Sequence, residues 1–141
     1  MRILIPIFLL VQFTAFTQTV NKKDLFSNWA LRKGWFGDNE LFLEKLDTTK
    51  LEGVSFVFKF HSDHTITIYV NIPKGVGACG NGAFYLDKGT WELNNNKITF
   101  DLKGGHVLQD EFHYKMIYTI VTFSGDKLVM KKEKTIFSEV K

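Results

Sequence analysis

From Val54 onward the chain alternates apolar and polar positions in short runs separated by turn residues. In VSFVFKFHS, Val54, Phe56, Phe58 and Phe60 share one face, and Ser55, Lys59 and His61 take the other. A period of two with three phenylalanines on one side predicts a half-buried strand. After the turn SDH, Ile66, Ile68, Val70 and Ile72 alternate with Thr65, Thr67, Tyr69 and Asn71, which predicts its hairpin partner. FYLDKGTWEL and KITFDL flank NNN, a tight-turn signal because asparagine tolerates positive φ. Ile98, Phe100 and Leu102 oppose Thr99, Asp101 and Lys103 on the second of these, and GGH is expected to break that strand. EFHYKMIYTIVTF is long enough for a strand of about a dozen residues, and SGD passes it to KLVMKKEKTIF. The pattern is that of consecutive antiparallel hairpins.

The N-terminal third is less regular. NKKDLF predicts one helical turn, with Asn21 as cap and Asp24 three residues on. SNWALRKGWF reads as a first strand, and NELFLEKLDTTKL as a second strand in preference to a short helix. The sum is seven or eight strands in one domain that is 15% aromatic. Exposed sheet edges invite aggregation, and closing the sheet removes them. The expected fold is therefore all-β: a single antiparallel up-and-down β-barrel of about eight strands with one short N-terminal helical turn.

Met1-Arg2 precede ILIPIFLLVQFTAF, a basic start and an apolar run shorter than the roughly twenty residues of a membrane span. Ala15 and Thr17 are small residues placed for a signal-peptidase cut before Gln18. Residues 1–17 are thus expected to be a signal peptide and residues 18–141 the barrel domain, secreted or periplasmic and without a membrane span. The formal charge of +3 falls by one without Arg2, so no strong basic field points to nucleic acid. The one cysteine, Cys79, cannot form an internal disulfide. It is buried, free, or shared between chains in a Cys79-linked dimer.

Order and spacing of these segments resemble the lipocalin-like domain of small secreted bacterial proteins over about Leu25 to Phe137. The carriers are LFSNWAL, FVFKFHSDHTITI, CGNG before GTWEL, NNNKITF and YTIVTFSGDKLVMKK; Ser27 takes the glycine position of that family's Gly-x-Trp. The resemblance implies Trp29 as the tryptophan closing the barrel floor. It also implies a cavity for a small apolar molecule, or a barrel kept only as scaffold.

KGVGACGNGAF, with Gly75, Gly77, Gly80 and Gly82 around Cys79, approximates a dinucleotide-loop spacing. AFYLDKGTWEL reads as strand, however, and a phosphate loop needs a helix there. Gly75, Gly77, Cys79 and Gly82 are read instead as a rim loop at the barrel mouth. His61, Asp63 and His64 in HSDH are potential ligands, but a zinc site needs three or four and no further pair stands at metal spacing. No metal and no cofactor are implied. His61, His64, His106 and His113 sit in no nucleophile signature; Glu92 and Asp101 take the polar side of their strands, opposite Trp91/Leu93 and Phe100 and towards solvent, and Asp110-Glu111 sits at a loop end, so no carboxyl is expected in surroundings that would raise it for catalysis. No enzyme activity is expected. The aromatic residues carry the functional expectation: Phe56, Phe58, Trp91, Phe100 and Tyr118 as lining for a small apolar ligand. The alternative is a filled barrel whose loops contact a protein partner in the cell envelope.

Overall fold

The computed structural model describes residues 19–47, 49, 53–72, 84–106 and 111–140. The N-terminal turn forms as α1 (Lys22–Leu25), where the Asp24 carboxylate accepts the Asn21 backbone N–H at 3.2 Å. Eight strands follow: β1 (Asn28–Lys33), β2 (Glu40–Lys45), β3 (Ser55–Phe60), β4 (Ile66–Asn71), β5 (Phe84–Asn94), β6 (Lys97–His106), β7 (Glu111–Phe123) and β8 (Lys127–Val140). They make one antiparallel sheet in the order β4-β3-β1-β2-β8-β7-β6-β5. The two ends of that order meet at a bridge between Thr65 and Thr90 and at the Trp91 N–H, which donates to His64 O at 2.9 Å. The result is a nearly closed eight-stranded barrel.

From β3 to β8 the chain is the up-and-down meander that the alternation predicts. The N-terminal hairpin departs from it, because β1 lies between β2 and β3. Both flanking strands are antiparallel to β1 and so run the same way, and the chain joining them has to pass β1. Ala30 and Val57 pair on the outward face and yet have no exposed surface.

The other face of each strand fills the interior. Phe58 pairs with Trp29 and Ile68, and Phe100 with Trp91 and Met116, each of these within the buried core. Asn95 sits at the β5–β6 turn with φ 56°, the positive value for which asparagine suits the position. The GGH segment does not break β6; both glycines lie inside it. At Gly104 a Cβ would come within 2.1 Å of Tyr85 O, so the residue permits close strand approach next to the β5 bulge at Leu86/Lys88.

Candidate functional site

The barrel has two unlike ends. At one, α1 and the turns after β3, β5 and β7 converge. Leu25 is fully buried there, and its carbonyl accepts the Trp29 indole N–H at 2.9 Å. Trp29 itself has no exposed surface and lies 6.2 Å from the Phe123 ring, so it packs into the α1 end. Trp91 belongs to this end as well. Its ring meets Phe60 edge-on at 5.0 Å, the His64 ring lies 6.1 Å away at a 29° interplanar angle, and its indole N–H donates to His61 O.

At the other end, the mouth, the strands from β5 to β8 extend past the shorter ones, and the β1–β2 connection turns inward. GWF, expected as the end of the first strand, instead forms a turn with the residues after it, because Gly34 and Gly37 take φ of 88° and 91°. A side chain at Gly34 would also strike Glu40 O at 2.2 Å. The turn carries Phe36 into the barrel, where it is 4% exposed and its ring lies 4.9 Å from Phe58 and 6.2 Å from Phe100. Trp35, half-buried, meets Phe56 edge-on at 4.6 Å. Beneath them the Tyr118 hydroxyl donates to Asp38 O at 3.1 Å and accepts the Gly37 N–H at 3.3 Å. The Lys132 ammonium donates to Gly37 O, and the Lys132 backbone N–H to Asn39 O at 2.8 Å.

The five predicted lining residues are therefore not one surface. Phe58, Phe100 and Tyr118 have no exposed area and so border no space that a water molecule could occupy, and Trp91, at 1%, borders almost none. Trp91 and Phe56 stand at opposite ends of the barrel. Phe56 alone remains part-exposed, beside Trp35. The expected rim residues Gly75, Gly77, Cys79 and Gly82 lie outside the described residues; the strands they join, β4 and β5, end and begin at the mouth. Trp35 and Phe36 are the mouth residues that sequence reasoning missed. The signal was the pair of glycines bracketing two adjacent aromatics, a spacing that period two cannot accommodate.

Burial pushes the Tyr118 hydroxyl up to about 12, aided by the Asp38 charge and opposed by the Gly37 hydrogen bond. The folded barrel holds this proton more tightly than the unfolded chain does. The resulting stabilisation is whole below pH 10.0 and is lost as pH rises through about 12. We expect Tyr118→Phe to flatten the alkaline loss of stability, followed by urea unfolding at several pH values. At neutral pH the loss of two hydrogen bonds should cost about 1–3 kcal/mol. An unchanged alkaline profile would exclude Tyr118 as its source.

The HSDH residues build a turn. Asp63 accepts from the Thr65 N–H at 3.0 Å and from its hydroxyl at 2.6 Å, and these bonds lower the Asp63 carboxyl. His61 Nε2 lies 2.9 Å from Thr67 Oγ1. Among the described residues no group of three or more histidine, cysteine or acidic side chains could hold a metal ion. A second polar group lies on the outer face of β6 and β7, where His113 Nε2 is 2.8 Å and Lys115 Nζ 3.5 Å from the Asp101 carboxylate. Burial alone would raise Asp101, but the His113 hydrogen bond and charge, with Lys115 and Lys88, leave it below the ordinary carboxylate value. These residues occupy adjacent register positions, Lys115 opposite Asp101 and His113 opposite Lys103, so strand pairing is enough to bring them together.

No helix among the described residues is long and apolar enough to cross a membrane. No protein-family model, curated protein or solved structure matches the chain, so the class that the geometry defines is an eight-stranded antiparallel barrel with an α1-capped floor and a mouth filled by its own turn.

Proposed function

We propose that this is a non-catalytic, exported binding barrel, of the lipocalin-like kind, that takes a small apolar ligand at its mouth above the Phe36 turn. The observation that carries the reading is the Trp35–Phe56 pair, two large rings 4.6 Å apart that keep exposed surface at the mouth while the rings below them keep none. Apolar ligand surface buried against them contributes about 25 cal/mol per Å², so about 100 Å² is worth roughly 2.5 kcal/mol. The ligand sits on the filled core in place of running through it.

The test is indole fluorescence during titration with a long-chain fatty acid and, separately, with an environment-sensitive apolar dye. A saturable change is expected with both. Phe56→Asp should abolish it, and Trp35→Phe should remove the ligand-dependent change in indole emission, Trp29 and Trp91 still emitting, while the dye still brightens. No response to either probe, or a response indifferent to Phe56→Asp in a folded variant, overturns the reading. The absence of exposed surface on Phe58, Phe100 and Tyr118 favours a second reading, a filled barrel that serves as an interaction module for a protein partner.

A further inference from the structure

The two edges of the sheet face each other across a seam. Among the described residues β4 and β5 share one bridge, Thr65 to Thr90, whereas every other neighbouring pair of strands is joined over a run of residues. The seam is pinched beside that bridge, where a Cβ on Gly89 would come within 2.6 Å of Ile66 O. Beyond it β5 carries its bulge at Leu86/Lys88, which bends a strand, and no pairing with β4 is resumed. What remains is a cleft of about 340 Å³, in the size range of small-ligand sites. Ile66, Ile68 and Leu86 give it an aliphatic inner wall, and Thr67, Lys88 and Thr90 a polar outer rim. Along β4 the inner row opens towards the mouth: Ile66 and Ile68 are buried, Val70 is half-buried and Ile72 is 44% exposed. Val70 pairs with Phe56, so the row ends beside the Trp35–Phe56 rings. On the outer rim Lys88 stands directly opposite Lys103, and like charges facing each other across two strands are destabilising. The Asp101 carboxylate on that face is taken up by His113 at 2.8 Å and Lys115 at 3.5 Å.

We propose that the seam holds an anionic single-chain amphiphile of the fatty-acid class, its carboxylate on Lys88 and its chain lying over Ile68 and Val70 towards the Trp35–Phe56 pair. The far end of the chain depends on the mouth binding proposed for this barrel, while the head group and the path along β4 do not. Counted from the bridge, Lys88 lies level with Thr67. From Thr67 to Ile72 is about 17 Å of strand, a path that an extended medium-length acyl chain covers. A carboxylate beside Lys88 offsets the repulsion between Lys88 and Lys103, and the aliphatic row takes the chain out of water. The charge decides the class of ligand. A seam that recognised the chain alone would favour an uncharged head, because a carboxylate gives up more hydration on leaving water.

The experiment is calorimetric titration of the protein at neutral pH with dodecanoate and, separately, with dodecanol, each below the concentration at which it aggregates. Dodecanoate is expected to bind roughly five- to tenfold more tightly, the scale of one charge-assisted hydrogen bond at a partly open site. Lys88→Met, at an exposed position, should remove that preference and leave the affinity for dodecanol unchanged. Ile72→Asp, also exposed, should weaken both ligands. Equal affinities in the unsubstituted protein, or a preference that survives Lys88→Met, overturn the head-group assignment, and unchanged binding in Ile72→Asp overturns the path. Phe56→Asp separates this site from the mouth. A Lys88-dependent preference that persists in Phe56→Asp sinks the mouth reading and leaves the seam. Two ligands bound alike by the unsubstituted protein and lost in Phe56→Asp leave the mouth and sink the seam.

Discussion

Phe36→Ala is expected to lower the free energy of unfolding by about 3–5 kcal/mol and, in the same protein, to raise the affinity for an apolar dye. Phe36 lies in a turn, where truncation ordinarily costs little. This ring, however, is seated against Phe58 and Phe100, and its turn is fastened from below by Tyr118 and Lys132. Removing the ring leaves an apolar space beneath Trp35 and Phe56, and such spaces stay dry and accept apolar guests. Urea unfolding and dye titration measure the two effects separately. If the variant loses less than about 1 kcal/mol, the turn is not part of the packed core. If it loses stability without gaining dye affinity, the barrel has collapsed into the space, and mouth binding would then have to rest on Trp35 and Phe56 alone.

Periodicity made β3 to β8 legible because one face of each of these strands is buried. Phe56, Phe58 and Phe60, then Ile66 and Ile68, then Ile98, Phe100 and Leu102 each fall on the interior face that alternation assigns them. The boundaries of β7 are those of the apolar run itself, Glu111 to Phe123. The order of β1, β2 and β3 was not legible, since local alternation says which face a residue takes and nothing about which strand lies beside it. Ala30 and Val57 show the limit of alternation: they pair on the outward face and are nonetheless buried.

The site was legible in kind and not in place. An aromatic set was expected to line a pocket, and the aromatics do meet inside the barrel. Yet Trp91 went to the floor and Phe58, Phe100 and Tyr118 into solid packing, because the Gly34–Gly37 turn supplied a ring that fills the space they would have lined. Whether a small barrel is hollow depends on what its turns insert. Strand periodicity carries no record of it.

The floor supplies the second large effect. Trp29→Ala is expected to cost about 3–5 kcal/mol, the upper range for truncating a buried aromatic, because the indole has no exposed surface and is the side chain that ties α1 to the barrel. Two contributions can be separated by an intermediate variant. Trp29→Phe keeps much of the ring against Phe123 but deletes the donor to Leu25 O, a buried hydrogen bond worth about 1–2 kcal/mol once the carbonyl is left unpaired. Trp29→Phe should therefore lose only part of the stability. Both variants should expose the α1 segment, since a four-residue helix has little stability of its own and depends on Leu25 and this bond. Trypsin cleavage after Lys22 and Lys23, under conditions where the barrel remains folded, is the direct readout and should accelerate in both. Equal losses in the two variants would mean that the hydrogen bond, and not the ring, holds the floor closed. Unchanged cleavage would mean that α1 is anchored by Leu25 and by the Phe26 ring against Trp91.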